Sequence, residues 1–457
     1  MEKSKNINRR KFLKTVGAGT IASAAVIAGC KPNNKVSAEG GAIGEVPTDK
    51  MTYRYNPKDG DKISLLGYGC MRWPLRKKAD GTGDEIDQDT VNDLVDYAIA
   101  HGVNYFDTSP NYVRGWSETA TGIALSRHPR DKYFIATKMS NFRTTSFEEG
   151  LAMYRRSMQN LQVDYFDYYL MHMVGASIAD FNKRFIDNKL LDFLLKEREA
   201  GRIRNLGWSF HGLKEVFDHV LALDVKWDFC QIQLNYHDWQ HAGAGEVNAE
   251  YLYGELVKKD VPAVIMEPLL GGILARMPAR ALTILNEANP QDSAAKWAFR
   301  YASTPDKVLT VLSGMVYMEH LQENIRTYSP LEPLNEQEYE VLEKITEILL
   351  DTDYIQCTEC QYCMPCSYGL DIPGVFAHYN RCVNAGKILE SSNDENYKKA
   401  RREFLVGYDR SVPKLRQANR CTECNECLTK CPQGIKIPTE MQRVDKYAEQ
   451  LKQKLDF

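Results

Sequence analysis

Between about residue 63 and residue 328, short apolar β-rich runs alternate with amphipathic helical stretches, and this alternation constrains the fold more than any other feature. The strand candidates are ISLLGYGCM, VNYFDTS, YFIATKM, FDYYLMHM, IRNLGWSF, FCQIQLNY, PAVIMEPL and VLTVLSGM, eight in all. Between them lie DTVNDLVDYAIAHG, SFEEGLAMYRRSMQNLQ, LLDFLLKEREAG and DSAAKWAFRYA, with apolar residues three and four apart and several ends marked by glycine. Eight strand-helix units over about 270 residues predict an α/β fold, a parallel (β/α)8 TIM barrel whose site is built where strands end and loops begin. An open doubly wound sheet is the weaker alternative, because no strand is followed by a G-x-G-x-x-G turn.

The chain of 457 residues exceeds one average domain. The barrel is expected over 51–330 and a small helical domain over 331–457, entered through the linking helix LNEQEYEVLEKITEILLDT. A net charge of −3 without a long basic run gives no electrostatic reason to expect nucleic acid. Residues 1–30 read as a targeting signal: NRRKFLK resembles the twin-arginine export signal, with Asn8 where Ser or Thr is usual, and precedes a weakly apolar stretch too short to span a membrane stably. IAGC resembles a bacterial lipobox, which would make Cys30 the lipidated first residue of an anchored mature protein; a soluble export signal with an incidental Cys30 is the other reading. Either way the protein is expected outside the cytoplasm, on the periplasmic or cell-surface side. Polar, Gly- and Pro-bearing residues 31–50 read as a flexible tether.

Eight of the twelve cysteines fall in two runs, QCTECQYCMPCSYG (Cys357, Cys360, Cys363, Cys366) and RCTECNECLTKCPQG (Cys421, Cys424, Cys427, Cys431). Zinc needs one or two C-x-x-C pairs rather than consecutive steps of three ending in Cys-Pro, cysteines three apart make poor disulfides, and a redox pair needs only one C-x-x-C. C-x-x-C-x-x-C-x-x-x-C-P is the bacterial ferredoxin pattern, so iron-sulfur clusters are the expected occupants. The tail resembles two-cluster helical ferredoxin-like domains, with IP after each run. That resemblance implies two [4Fe-4S] clusters, one on Cys357, Cys360, Cys363 and Cys431, the other on Cys421, Cys424, Cys427 and Cys366. The first run is one residue short and has Ser367 in place of proline, which singles out Cys366. Cys70, Cys230 and Cys382 read as packing residues.

At the expected barrel rim, strand two ends in FDTSPNY, strand three in ATKM and strand four in LMHM, which brings Asp107, Tyr112, Lys138 and His172 into view. Taken singly, a barrel histidine or an Asp-Lys pair is more often structural. Together they suit a proton donor: a phenol has a pKa of about 10, and Lys138, held by Asp107, is expected to lower that of Tyr112 while His172 orients a carbonyl. In order and spacing these four resemble the catalytic tetrad of the aldo-keto reductases, as do LLGYGCMR, GRIRNLGWSFHG, CQIQLNY and HLQENI over residues 52 to 328. The resemblance implies hydride transfer between NADP or NAD and a small carbonyl or alcohol substrate, with Tyr112 as acid or base. It also implies Ser209 and Gln231 at the nicotinamide carboxamide and Glu323 and Asn324 near the adenine. Met266 stands where many members have a stacking tyrosine, and His320 where an arginine meets the 2'-phosphate. Because an exported protein meets no pool of free NAD(P)H, a retained nucleotide or another redox route is expected, with the clusters serving a redox partner protein. The contrasting expectation is an idle barrel acting as a scaffold for an electron-transfer tail.

Overall fold

The computed structural model describes residues 45–142, 145–243, 247–389 and 391–453. The expected export signal, Cys30 and most of the tether lie outside the described residues. Among the described residues, no helix is long and apolar enough to cross a membrane.

A short antiparallel hairpin, β1 (Tyr53–Tyr55) and β2 (Lys62–Ser64), leads into β3 (Leu66–Gly69), and a second hairpin pairs β4 (Leu75–Lys77) with β5 (Asp84–Ile86). The remaining strands are β6 (Tyr105–Asp107), β7 (Phe134–Met139), β8 (Phe166–Val174), β9 (Ile203–Phe210), β10 (Phe229–Gln233), β11 (Ala263–Met266) and β12 (Val308–Ser313). β3 and β6 to β12 close into a barrel in sequence order, every pair parallel, so the expected (β/α)8 architecture is present. The first expected strand is divided: Ile63 belongs to the antiparallel hairpin, fully buried against the barrel lining, and the parallel strand starts at Leu66.

The helices are α1 (Gln88–Ala100), α2 (Ser117–Leu125), α3 (Phe147–Leu161), α4 (Ile178–Phe181), α5 (Leu190–Glu199), α6 (Lys214–Leu221), α7 (Ala249–Lys258), α8 (Ala279–Ala288), α9 (Ala294–Ser303), α10 (Met318–Thr327) and α11 (Glu336–Leu350). Their starts follow the local chemistry. Ser146 caps α3 by accepting from the Glu149 amide at 3.2 Å, with Glu148 and Glu149 at the positive end of the helix dipole, while Tyr154 and Leu161 turn inward. Although expected as a linker, α11 packs on the barrel. A capping box of Asn335 and Glu338 starts it, Leu342, Ile345 and Leu349 join the barrel's outer core, and Arg300 clamps Glu338 at 2.6 Å.

A second core begins at Ile355 and is built from α12 (Ile372–Asn384), α13 (Tyr397–Ser411) and α14 (Ile437–Gln453), centred on Val375, Phe376, Phe404 and Val444. Both cysteine runs lie against it.

Strand parity decides which side chains enter the barrel. Tyr105, Ala136, Tyr168, Leu170, Phe229 and Val264 fill its lumen, and Asp107, Lys138, His172 and Gln231 share their phase two residues onward, toward the C-terminal ends. Gly207 leaves room for this filling: a Cβ there would stand 2.4 Å from the Phe229 carbonyl oxygen and 2.7 Å from its ring. Gly207→Ala is expected to overpack the lumen and cost about 1–3 kcal/mol, measured as a lower denaturant midpoint.

Candidate functional site

The barrel's C-terminal mouth assembles the sequence-expected tetrad. Lys138 on β7 is fully buried and its Nζ donates to Asp107 Oδ1 on β6 at 2.5 Å and to the Thr108 carbonyl at 2.9 Å. Burial pushes Asp107 up and Lys138 down, and each opposes the other's shift by its charge. Tyr112 follows β6 in a tight turn in which Val113 (φ 48°) and Arg114 (φ 58°) are left-handed, a strained conformation for a β-branched residue. Its ring lies edge-on to His172 at 5.8 Å and beneath Lys138 Nζ, 4.9 Å from the ring centroid.

One expectation is corrected here. The charge pattern predicts that Lys138 lowers the Tyr112 hydroxyl, but its ammonium sits over the ring face and donates to Asp107 and Thr108. Burial, followed by the neighbouring Tyr362, Asp107 and Glu267, instead pushes Tyr112 well above the usual phenol range.

His172 on β8 is held on both ring nitrogens. Nδ1 is hydrogen-bonded to Ser140 Oγ at 2.6 Å, with Ser109 Oγ 2.9 Å from that hydroxyl, and Nε2 to the Tyr362 hydroxyl at 3.2 Å. Burial holds the imidazole well below its ordinary pKa, so it is neutral near pH 7. Arg184 fixes the strand end by donating to the His172 carbonyl at 2.6 Å, and its guanidinium lies over Phe142, whose ring packs on His172 at 5.1 Å.

The residues expected around a nicotinamide divide into two groups. Ser209 and Gln231 are register partners on β9 and β10, and Gln231 is close enough to Asp107 to oppose the rise of its pKa. Gln231 Oε1 is buried without a hydrogen-bond partner among the described residues, as a waiting amide contact would be. Ser209 Oγ already accepts from the Met173 amide at 2.8 Å. Glu323 and Asn324 lie on a separate stretch of the rim in α10, where Asn324 donates to Ser313 Oγ at 3.0 Å; His320 is exposed on the same helix beside Tyr317. Met266 ends β11, half-buried.

The eight tail cysteines line two cavities. One, of about 320 Å³, is lined by Cys357, Cys360, Cys363 and Cys431. The other, of about 440 Å³, is lined by Cys366, Cys421, Cys424 and Cys427, with Cys363 on the wall the two share. The runs curl alike because the residues on either side of the second cysteine are left-handed in both: Glu359 and Gln361, then Glu423 and Asn425. Among the described residues no three His, Cys, Asp or Glu side chains converge on one ion. A cubane suits such a spread, since each of its thiolates binds a different iron. Burial pushes Cys357 up to about 12 and Cys360 up to about 11, an environment in which thiolate is stable only beside a cation. Cys70, Cys230 and Cys382 are buried elsewhere.

The cysteine runs also touch the barrel, a contact that no sequence pattern signals. Besides Tyr362 on His172, the Thr358 carbonyl accepts from the Arg72 guanidinium, Gln433 donates to Gln233 Oε1 at 3.1 Å, and Glu359 faces Arg276 at 3.7 Å. Thr358 packs so closely on Gly271 (φ +64°) that a Cβ there would be 2.3 Å from its Cα. Half-buried Glu267, which accepts from the Gly271 amide at 2.7 Å and faces the charge of Arg72, completes this seam. A tyrosine between two ligand-type cysteines is the one available hint, but nothing in the sequence pairs it with His172.

Comparison with known proteins agrees with this architecture. The profile described as "Aldo/keto reductase family" matches residues 65–347, and that described as "4Fe-4S dicluster domain" matches residues 356–435. The chain belongs to the aldo/keto reductase family, oxidoreductases typically dependent on NAD(P), and carries a 4Fe-4S dicluster domain after its barrel. It is similar to the L-galactose dehydrogenase of Arabidopsis thaliana, 25% identical over 325 residues that cover 66% of this chain and 95% of the relative. An aldo-keto reductase of Mycolicibacterium smegmatis is 32% identical over 160 residues, 35% of this chain and 50% of that protein. In fold it resembles an aldo-keto reductase of Bacillus halodurans, at a TM-score of 0.52 and 22% identity over 65% of this chain and 96% of that one.

The Lys138–Asp107 pair supplies a test of the mouth. Asp107→Ala strands a buried ammonium and is expected to cost about 3–5 kcal/mol, while adding Lys138→Met recovers much of the loss; denaturant unfolding of both variants measures this.

Proposed function

We propose that this oxidoreductase interconverts a small carbonyl and its alcohol by nicotinamide hydride transfer, with Tyr112 as acid or base and two [4Fe-4S] clusters passing electrons to or from a partner protein. The observation that carries the reading is the gathering of Tyr112, Lys138, Asp107 and His172 at one barrel mouth directly beneath the first cysteine run. Bound NADP or NAD supplies or accepts the hydride. Ser209 and the unpartnered Gln231 Oε1 would hold its carboxamide, and Glu323 and Asn324 the far end.

The Tyr112 phenol, kept protonated at neutral pH by burial, donates its proton to the alkoxide oxygen that develops as a carbonyl is reduced. Lys138 sits over the face of the tyrosine ring and holds it in position, while Asp107 pairs with the lysine and keeps it in place. Neutral His172 orients the carbonyl through an N–H.

The donor sets support the electron route. The cavity on Cys357, Cys360, Cys363 and Cys431 adjoins the barrel through Tyr362, and the cavity on Cys366, Cys421, Cys424 and Cys427 includes exposed Cys424. An inner and an outer one-electron carrier would together hold the two electrons that, with one proton, return the oxidised nicotinamide to its reduced form, or take them away in the reverse direction. Twin-arginine export of the folded, loaded protein and a lipid on Cys30 would fix it to a membrane surface on the periplasmic or cell-surface side, within reach of such a partner. The second reading, an idle barrel that supports the clusters, is favoured by one observation: His172 Nε2 already carries the Tyr362 hydroxyl.

Tyr112→Phe separates the two readings. Carbonyl reduction is expected to fall by about 10²- to 10⁴-fold with the cluster absorption unchanged; activity equal to wild type would leave the idle barrel. Cys431→Ala is expected to lower anaerobically purified iron from about eight to about four atoms per chain, read by iron and sulfide analysis.

A further inference from the structure

Tyr362 belongs by sequence to the cysteine runs and by contact to the barrel. Cys360 and Cys363, on either side of it, line the inner cavity, while its hydroxyl lies 3.2 Å from His172 Nε2, 190 residues away. Its ring stands edge-on to Phe142 at 6.1 Å and to His172 at 6.3 Å. The backbone before it is pinned by the Arg72 bond to Thr358 and the close approach of Thr358 to Gly271. The equivalent position of the second run is Glu426, which turns away to accept from Ser367 Oγ at 2.5 Å. The same loop conformation thus carries a phenol only where it faces the barrel.

Hydrogen-bond roles explain what the phenol does there. A neutral imidazole has one N–H and one acceptor nitrogen. Ser109 Oγ accepts from the Asn111 amide at 3.3 Å and lies 2.9 Å from Ser140 Oγ, which lies 2.6 Å from Nδ1; the arrangement that gives every hydroxyl hydrogen an acceptor runs from Ser109 to Ser140 to Nδ1, and in it the N–H is on Nε2. That N–H donates to the Tyr362 oxygen. A carbonyl oxygen can only accept, and it would need the same N–H.

We propose that Tyr362 is a substrate-pocket residue contributed by the cluster-binding loop, its hydroxyl oxygen standing where a substrate carbonyl oxygen binds His172. The proposal rests on reading the barrel as a carbonyl–alcohol site. Substrate entry displaces Tyr362 and moves residues 358–363, so occupancy of the barrel and the setting of the inner cavity change together. Specificity follows as well: substrates must fit between Phe142 and the displaced loop.

The test uses the anaerobically purified full-length holoprotein and the Tyr362→Phe variant, which keeps the ring but lacks the competing oxygen. With NADPH and 4-nitrobenzaldehyde as probe, the variant is expected to show a KM lowered by about 3- to 10-fold, the value of one hydrogen bond, with kcat little changed. An unchanged or raised KM overturns the proposal. Hydrogen-deuterium exchange at residues 358–362 is read alongside. In wild type it should rise when NADP and 4-nitrobenzaldehyde are added, and without ligand it should be several-fold faster in the variant than in wild type. Exchange indifferent to both the substitution and the ligand overturns the proposal. Absence of turnover in wild type would count against the functional reading itself, and ligand-free exchange would then decide separately whether the Tyr362 hydroxyl anchors the loop.

Discussion

The ion pair of Lys138 with Asp107 is the interaction on which the barrel mouth depends. Both groups are buried, and an isolated charge in such a place would neutralise or draw in water. Pairing at 2.5 Å keeps a cation under the mouth, and the Thr108 carbonyl takes a second ammonium hydrogen. The lysine is thereby fixed over the Tyr112 ring, and the phenol, tilted against His172, receives its orientation from the same arrangement. A buried pair of this kind is poor evidence for stability, and its worth here lies in holding one geometry.

A second constraint acts across the molecule. The barrel and the helical tail each have their own core, yet the tail is docked on the barrel's C-terminal rim through Arg72, Gly271, Gln233 and His172. That rim is where barrel side chains converge with polar ends. With the tail docked there, Tyr112 and Tyr362 are half-buried, and burial leads the causes raising both hydroxyls. A tail placed on the opposite rim would leave the tetrad open to solvent and the cysteine cavities far from it.

Much of the barrel and its mouth is legible in the order of residues alone. Period-two alternation within strands and three- to four-residue spacing within helices mark the barrel, and the strand ends FDTSPNY, ATKM and LMHM locate Asp107, Lys138 and His172. The direction of the Tyr112 shift is not legible there, because it depends first on how deeply the phenol is buried and then on Tyr362 and Glu267, which only the fold brings near it. Nor is the assignment of α11 to the barrel, since Leu342, Ile345 and Leu349 would suit either core.

The sequence by itself determined the strand–helix alternation, the phase that turns Asp107, Lys138 and His172 inward and the grouping of cysteines in steps of three, because these are local properties of periodicity and spacing. The exchange of fourth thiols, Cys431 with the first run and Cys366 with the second, follows from the resemblance to two-cluster ferredoxin-like domains, and the two cavities group the cysteines the same way; only the tertiary structure decided that Tyr362 meets His172 and that Thr358 meets Gly271. Those contacts join residues far apart in the chain, and their formation depends on how two separately packed cores meet, a matter of surface shape and burial that no local pattern encodes.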